Sequence, residues 1–174
     1  MDGKLFMNDK VIMVLKQSFR NHIIVSGFTW IVTAILFGVW WYLNYNPAFL
    51  LTAGLFHLLF TIPALYLHIE YSIRNAGEEI EINSNEIIVR KGGNERKYRS
   101  KDLEKIIVYK SASLDKGGIP LSAMEYYRYA RVEAKTGEEI IITCLMVLDV
   151  EGAVKQLKEV SYERKKGLAF LTWK

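Results

Sequence analysis

Three histidines, a single cysteine and one dense group of basic side chains are the residues in this chain with the means to do chemistry. His22 stands at the start of one long apolar stretch and His68 at the end of another, so antiparallel packing would bring both rings to the same end. Two imidazoles can hold a metal ion or a haem. No cysteine or carboxylate accompanies them at ligand spacing, and His57 lies about 16 Å away along a helix axis, too far to join the same ion. Interfacial polar side chains at His22 and His68, and a polar packing contact at His57, are the expectation, with no metal and no cofactor. Cys144 has no partner for an internal disulfide and alternates with Ile142 in a strand pattern, which makes it a core residue. Gly117-Gly118 lacks the Gly-Lys-Ser/Thr ending of a phosphate loop. No set of nucleophile, base and orienting group is present, and no nucleotide fingerprint. The sequence thus names no catalytic residue, implies no small-molecule substrate, and does not read as an enzyme.

Arg90, Lys91, Arg96, Lys97, Arg99 and Lys101 crowd around Gly92-Gly93. Such a group can rest on anionic lipid headgroups, each basic residue near that surface contributing on the order of 1 kcal/mol, or can engage a partner. It equally suits a solvated hairpin whose charge guards an edge against strand addition. Nucleic acid is not expected as a partner, because from Glu70 onward 19 Lys/Arg face 17 Asp/Glu.

These side chains must be positioned by two very different halves. The chain has 174 residues, 51 % of them hydrophobic, and a net charge of +4. Those averages suit a soluble globule, but Ile23 to Tyr45 and Ala48 to Ile69 carry no Lys, Arg, Asp or Glu. Each run would measure about 33–35 Å as a helix, enough for a bilayer core. Asn44-Tyr45-Asn46-Pro47 joins them in a polar turn so short that the helices must be antiparallel neighbours. Trp40, Trp41, Tyr42 and Tyr45 crowd the turn end, and Tyr66 and Tyr71 can serve the opposite interface. This pattern excludes a single water-soluble domain, a disordered chain and a disulfide-built scaffold. Lys4, Lys10, Lys16 and Arg20 precede the first run, Arg74 follows the second, and the turn is uncharged, which predicts both termini on the cytoplasmic side. Residues 1–21 read as a basic lead-in, with Val11, Ile12, Leu15 and Phe19 sketching one face of an interfacial helix that Phe6 and Met13 blur. His57, Thr61 and Pro63 interrupt the second run and predict a face that meets another helix.

Beyond Glu70 the pattern becomes short β segments between turns. Glu79 to Ile82 alternates, Asn83-Ser84-Asn85 turns, Glu86 to Lys91 extends, and Gly92-Gly93-Asn94 marks a hairpin into Glu95–Arg99, with Tyr98 inward. Leu103 to Lys110, Glu125 to Lys135 and Glu138 to Met146 follow, separated by a loose stretch at Ser111–Met124 and a tight turn at Thr136-Gly137. Val150, Ala153, Val154, Leu157 and Val160 then fall on one helical face behind an Asp149 N-cap.

The run Glu79-Ile80-Glu81-Ile82-Asn83-Ser84-Asn85-Glu86-Ile87-Ile88-Val89-Arg90, a basic return strand, and Lys101-Asp102-Leu103-Glu104-Lys105-Ile106 together resemble the bacterial pleckstrin-homology-like domain families of the YcxB-like kind, over roughly Ser72–Val160. The resemblance implies a split barrel of about seven antiparallel strands capped by a C-terminal helix, and a non-catalytic role in binding or assembly. The expected protein is therefore an α + β membrane protein: a transmembrane hairpin over 22–70 (helices about 23–45 and 48–69), a PH-like domain over 71–161 and a basic, aromatic tail over 162–174. It would sit in a bacterial inner membrane, with the lipid bilayer as one partner and a protein or a second copy of itself as another. Its expected work is to scaffold a homo-oligomer or serve as an accessory subunit. An anionic-lipid sensor and a small subunit of a membrane enzyme or redox complex are the alternatives.

Overall fold

The computed structural model describes residues 4–7, 10–118, 120, 122–167 and 169–171, with side chains from Ile12 onward. The described residues form nine strands in two sheets and a long helical hairpin. β1 (Lys4–Met7) and β2 (Lys10–Lys16) come first, then α1 (Phe19–Tyr42) and α2 (Pro47–Arg74). The chain re-enters the sheet as β3 (Glu78–Ile82), followed by β4 (Glu86–Lys91) and β5 (Asn94–Arg99), giving a five-stranded antiparallel sheet in sequence order. A 3₁₀ turn at Ser100–Asp102 leads to the second sheet. It holds β6 (Leu103–Lys110), β7 (Tyr129–Ala134), β8 (Glu139–Thr143) and β9 (Ser161–Lys166), in the order β8-β7-β6-β9. Two short helices, α3 (Ala112–Asp115) and α4 (Val150–Val154), and a 3₁₀ turn at Ala123–Tyr126 fill the connections.

The N-terminal segment is strand, not interfacial helix. Val11, Ile12 and Val14 are β-branched and suit a pleated surface. In the register with β3, Leu15 stands opposite Ile80 and Met13 opposite Ile82, so alternate residues enter the core while Val14 points outward. The hairpin is thus inserted between two hydrogen-bonded strands of one sheet. At its far end Asn44 and Tyr45 take positive φ, and the Asn46 side chain caps α2 by accepting from the amides of Ala48 and Phe49.

The C-terminal segment also differs from expectation. Asp149 caps α4 as the sequence implies, and Val150, Ala153, Val154 and Leu157 are buried, but the helix lasts only five residues. Glu159 turns the chain at φ 66, and Ser161–Lys166 then pairs with the free edge of β6 in parallel. Residues read as a tail therefore complete a sheet. Lys110, 13 % exposed, and Glu151, 16 %, form an ion pair at 2.8 Å beneath that strand, joined by Asp115, Lys155, Arg164 and Lys166. Burial pushes the Glu151 carboxyl up, but donors from Lys110, Lys155 and Arg164 outweigh it and hold the group well below the usual carboxylate range. Of the loop at 111–124, Ile119 and Leu121 lie outside the described residues, as do Leu168 and Thr172–Lys174 of the tail.

Candidate interaction site at the hairpin base

The first and last turns of the hairpin are built into the domain. Ala64, Leu67 and Tyr71 recur at helical spacing along α2, and all three are buried, Leu67 and Tyr71 completely. Tyr71 meets Tyr127 and Tyr129 edge-on and donates its hydroxyl to the carbonyl of Ala169 at 2.5 Å. From α1, Asn21 donates to the Leu145 carbonyl at 3.2 Å, and Val25 is buried. Gln17, just ahead of α1, donates to the Ser72 carbonyl at 2.8 Å. Asn75, fully buried at the end of α2, donates to Glu78 and to the Ile141 carbonyl and accepts from Thr143. These side-chain amides tie the helix ends to the domain through backbone carbonyls that would otherwise need other partners.

His22 and His68 meet here. His22 Nδ1 lies 2.9 Å from His68 Nε2, and His68 Nδ1 lies 3.0 Å from the Tyr127 hydroxyl. A hydrogen bond between two imidazole nitrogens needs one of them unprotonated, so the chain of three holds only while the pair is not doubly charged. Among the described residues no three His, Cys, Asp or Glu side chains converge as metal ligands. Burial raises the Tyr127 phenol and pushes Tyr129 up to about 12 and the Cys144 thiol up to about 11, so these groups stay protonated.

Higher on the hairpin, His57 Nε2 lies 3.0 Å from Thr33 Oγ1 of α1 and 3.1 Å from Thr61 Oγ1. His57 thus meets α1 of the same chain, while Thr61 bonds the same ring from its own helix. Pro63 sits inside α2 two residues on, without ending it.

The basic residues do not share one face. Register places Arg96 opposite Val89 and Tyr98 opposite Ile87, so Arg96 leaves β5 on the same side as the inward Tyr98 and reaches Glu138 at 3.5 Å. Lys91, also on that side, donates to the Arg74 carbonyl at 3.4 Å. Arg90 and Lys97 project oppositely. Arg90 is held by Glu79, Glu81 and Glu95 at 3.4, 2.9 and 2.8 Å, which raises its pKa further, and Lys97 pairs with Glu95 at 3.2 Å. Arg99 and Lys101 line a third place, a groove shared with Glu86, Lys158 and Glu159. The period of a strand and the alternating glutamates divide what the linear sequence clusters.

Sequence reasoning missed the anchors Gln17, Asn21, Asn75 and Tyr127, and the buried Arg131. The signal available for Asn21 and Asn75 was their position: an amide at each foot of an apolar helix, where backbone groups need partners.

The fold and this junction define a two-sheet α + β domain carrying a helical hairpin as an insertion. A family model described as a PH domain matches residues 8–151, most of the chain and the hairpin with it. The chain belongs to that PH-domain family. No curated protein and no solved structure matches it. PH domains are interaction modules and are generally non-catalytic.

Proposed function

We propose that this chain is a membrane-anchored, non-catalytic PH-domain interaction module that scaffolds a homo-oligomer or serves as an accessory subunit of a larger complex. The observation that carries the reading is the placement of the hairpin. β2 runs into α1 and α2 runs into β3, and β2 and β3 are hydrogen-bonded neighbours. Both feet therefore stand side by side on the domain, and the distal turn points away from it. α1 and α2 are long and apolar enough to cross a membrane, at about 36 and 42 Å. Their distal faces present Trp30, Ile31, Leu51, Phe56 and Leu59 with more than half of each surface open. Apolar area on this scale needs lipid or protein to cover it.

The base turns lie against the domain, and Phe28 already packs on Tyr126 of the second 3₁₀ turn. What remains of each helix beyond that level is on the order of 20 Å, less than the roughly 30 Å of a hydrocarbon core. The Ala123–Tyr126 turn would then sit at headgroup depth, and the domain would be pressed to the bilayer rather than hung from it. Basic residues at the feet and an uncharged turn favour the domain and both termini on the cytoplasmic side of a bacterial inner membrane. Confinement to that plane raises the effective concentration of the domain for partners on the same membrane.

Washing membranes with alkaline carbonate tests the anchor: the full chain is expected to stay in the pellet, and its release would overturn the reading. An Asn46→Cys variant in intact cells should react with an impermeant thiol reagent from outside; protection there would reverse the orientation. Native mass measurement in mild detergent tests assembly, a lone monomer counting against scaffolding.

A further inference from the structure

Three polar rings in a row hold the foot of the hairpin together. His22, near the start of α1, stands 2.9 Å from His68 of α2, Nδ1 to Nε2, and the rings meet edge-on with centroids 4.9 Å apart. His68 Nδ1 reaches the Tyr127 hydroxyl at 3.0 Å. The row thus joins α1 to α2, and α2 to the segment that leads into β7. Both histidines are half-buried, so protons from solvent can reach them. The residues just ahead of His22 are tied to the domain as well: the Leu145 carbonyl accepts from the Ser18 amide and from the Asn21 side chain. Cys144, the only cysteine and fully buried, precedes Leu145 and neighbours Tyr127.

The row has room for one extra proton and no more. With both ring nitrogens of His68 protonated, Nδ1–H donates to Tyr127 and Nε2–H donates to the lone pair of His22 Nδ1. A second proton must take that lone pair, which abolishes the bond and leaves two cations 2.9 Å apart. Nothing at the junction offsets them. The ionisable groups on the surrounding elements are Tyr71, Tyr127 and Cys144, with Arg20 on the exposed side of α1. Glu70 accepts from the Leu171 amide and Glu125 from Ser113 Oγ, and no carboxylate acts on either ring. We propose that the His22–His68 pair is a proton-operated latch: a second proton drives the start of α1 away from α2 and the Leu145 carbonyl, and frees the foot of the hairpin while both sheets stay folded. Histidine is the side chain whose ordinary charge change falls between about pH 5 and 8. The stability contributed by the pair is present at neutral pH and is lost as pH falls through that range, because the opened form takes up a proton that the closed form cannot seat. The latch is internal to one chain, needs no bilayer, and stands or falls apart from the anchor.

The full chain in detergent carries its own probe in Cys144. Its labelling by 4,4′-dithiodipyridine, a reagent that works in mild acid, is followed from about pH 7.5 to about pH 5 and divided by the rate of a free thiol at each pH. If only the opened form takes up the proton, at about 6.5, the opening equilibrium shifts about thirtyfold over that range, and the parent should label at least about tenfold faster at the acid end. His22→Gln gives His68 a partner that hydrogen-bonds and carries no charge, and should label at one rate throughout. His68→Gln provides the same reading from α2, with circular dichroism showing whether each variant is folded. A parent rate that does not rise, or an equal rise in a folded variant, overturns the proposal. Hydrogen exchange of the parent, corrected for the intrinsic effect of pH, decides the matter without a variant. Acceleration in acid confined to residues near 18–25 and 143–146 is expected. Equal acceleration in β3–β5 would show the whole domain unfolding and would overturn the latch.

Discussion

The two ends of the helical hairpin are made of the same kinds of residue and live in different surroundings. Near the turn, Leu51, Phe56 and Leu59 are mostly open, and the polar contacts between the helices reduce to the knot of Thr33, His57 and Thr61. At the base, Ala64, Leu67 and Tyr71 are closed off by the domain, and Asn21 and Asn75 donate their amides to backbone carbonyls just past the end of β8 and within it. Hydropathy does not separate these ends, since burial in protein and burial in lipid reward the same side chains. Polar partners do separate them: a helix end docked on a sheet needs specific acceptors, whereas a helix surface facing acyl chains needs none. The base is therefore part of the domain core, and only the distal part is available to be an anchor.

Truncating each end in turn should expose that difference most sharply. Tyr71→Ala removes a fully buried ring from between Tyr127 and Tyr129 and leaves the Ala169 carbonyl unmet, for a loss of about 4 kcal/mol. Leu59→Ala, on a side chain 68 % exposed, should change stability by less than about 0.5 kcal/mol. Denaturant unfolding of the detergent-solubilised full chain, followed by tyrosine and tryptophan fluorescence, measures both; equal losses would break the comparison. Asn75→Ala comes next. It strips the Glu78 carboxylate, the Ile141 carbonyl and the Thr143 hydroxyl of one shared partner and should cost about 3 kcal/mol in the same assay.

The parts of this arrangement that were legible in the sequence are those governed by local rules. Uncharged length marks the hairpin, Gly92-Gly93 at φ 58 and 81 marks the β4–β5 turn, Asp149 marks the start of α4, and the alternation from Glu79 to Arg99 marks three strands. The strand at Lys10–Lys16 was hidden because β3, its neighbour on one side, lies beyond the whole hairpin in sequence; five apolar residues between two lysines cannot declare so distant a partner. β9 was hidden likewise, since Ser161–Lys166 is almost wholly polar and is a strand only because the edge of β6 is open beside it. Of the site, the meeting of His22 and His68 follows from antiparallel packing alone. The division of the basic cluster does not, because it depends on which side of β5 each residue leaves and on glutamates from two strands and the turn before β8. Arg131 gave no sequence signal at all: in a strand that alternates, nothing marks a guanidinium as inward.

The far side of the second sheet offers a third setting, held by charge instead of by aromatic rings. Glu151→Gln should lower stability by about 2 kcal/mol near neutral pH, by leaving Lys110 mostly buried with weaker acceptors. The Glu151 carboxyl is lower in the folded chain than its ordinary 4.5, so its contribution is present above that pH and is lost as pH falls through the folded value. Parent and variant should accordingly converge in acid, and a gap unchanged from pH 7 to pH 3 in thermal melts would remove the ion cluster from the account of how β9 is held.

A smaller and more local effect is expected at the distal turn. Asn46 caps α2 with its side chain on the amides of Ala48 and Phe49 at 2.9 and 3.3 Å, and Pro47 occupies the first helical position, where its missing N–H costs nothing. Asn46→Ala should weaken α2 locally by about 1 kcal/mol. Because the base is fixed independently by Tyr71 and Asn75, that loss should fray the turn without loosening the domain. Hydrogen exchange of the full chain in detergent distinguishes the two: faster exchange confined to residues near 46–50 sharpens the contrast between the ends. Faster exchange reaching β3 would show instead that hairpin and domain unfold as one unit, and the distinction between anchor and core would fall.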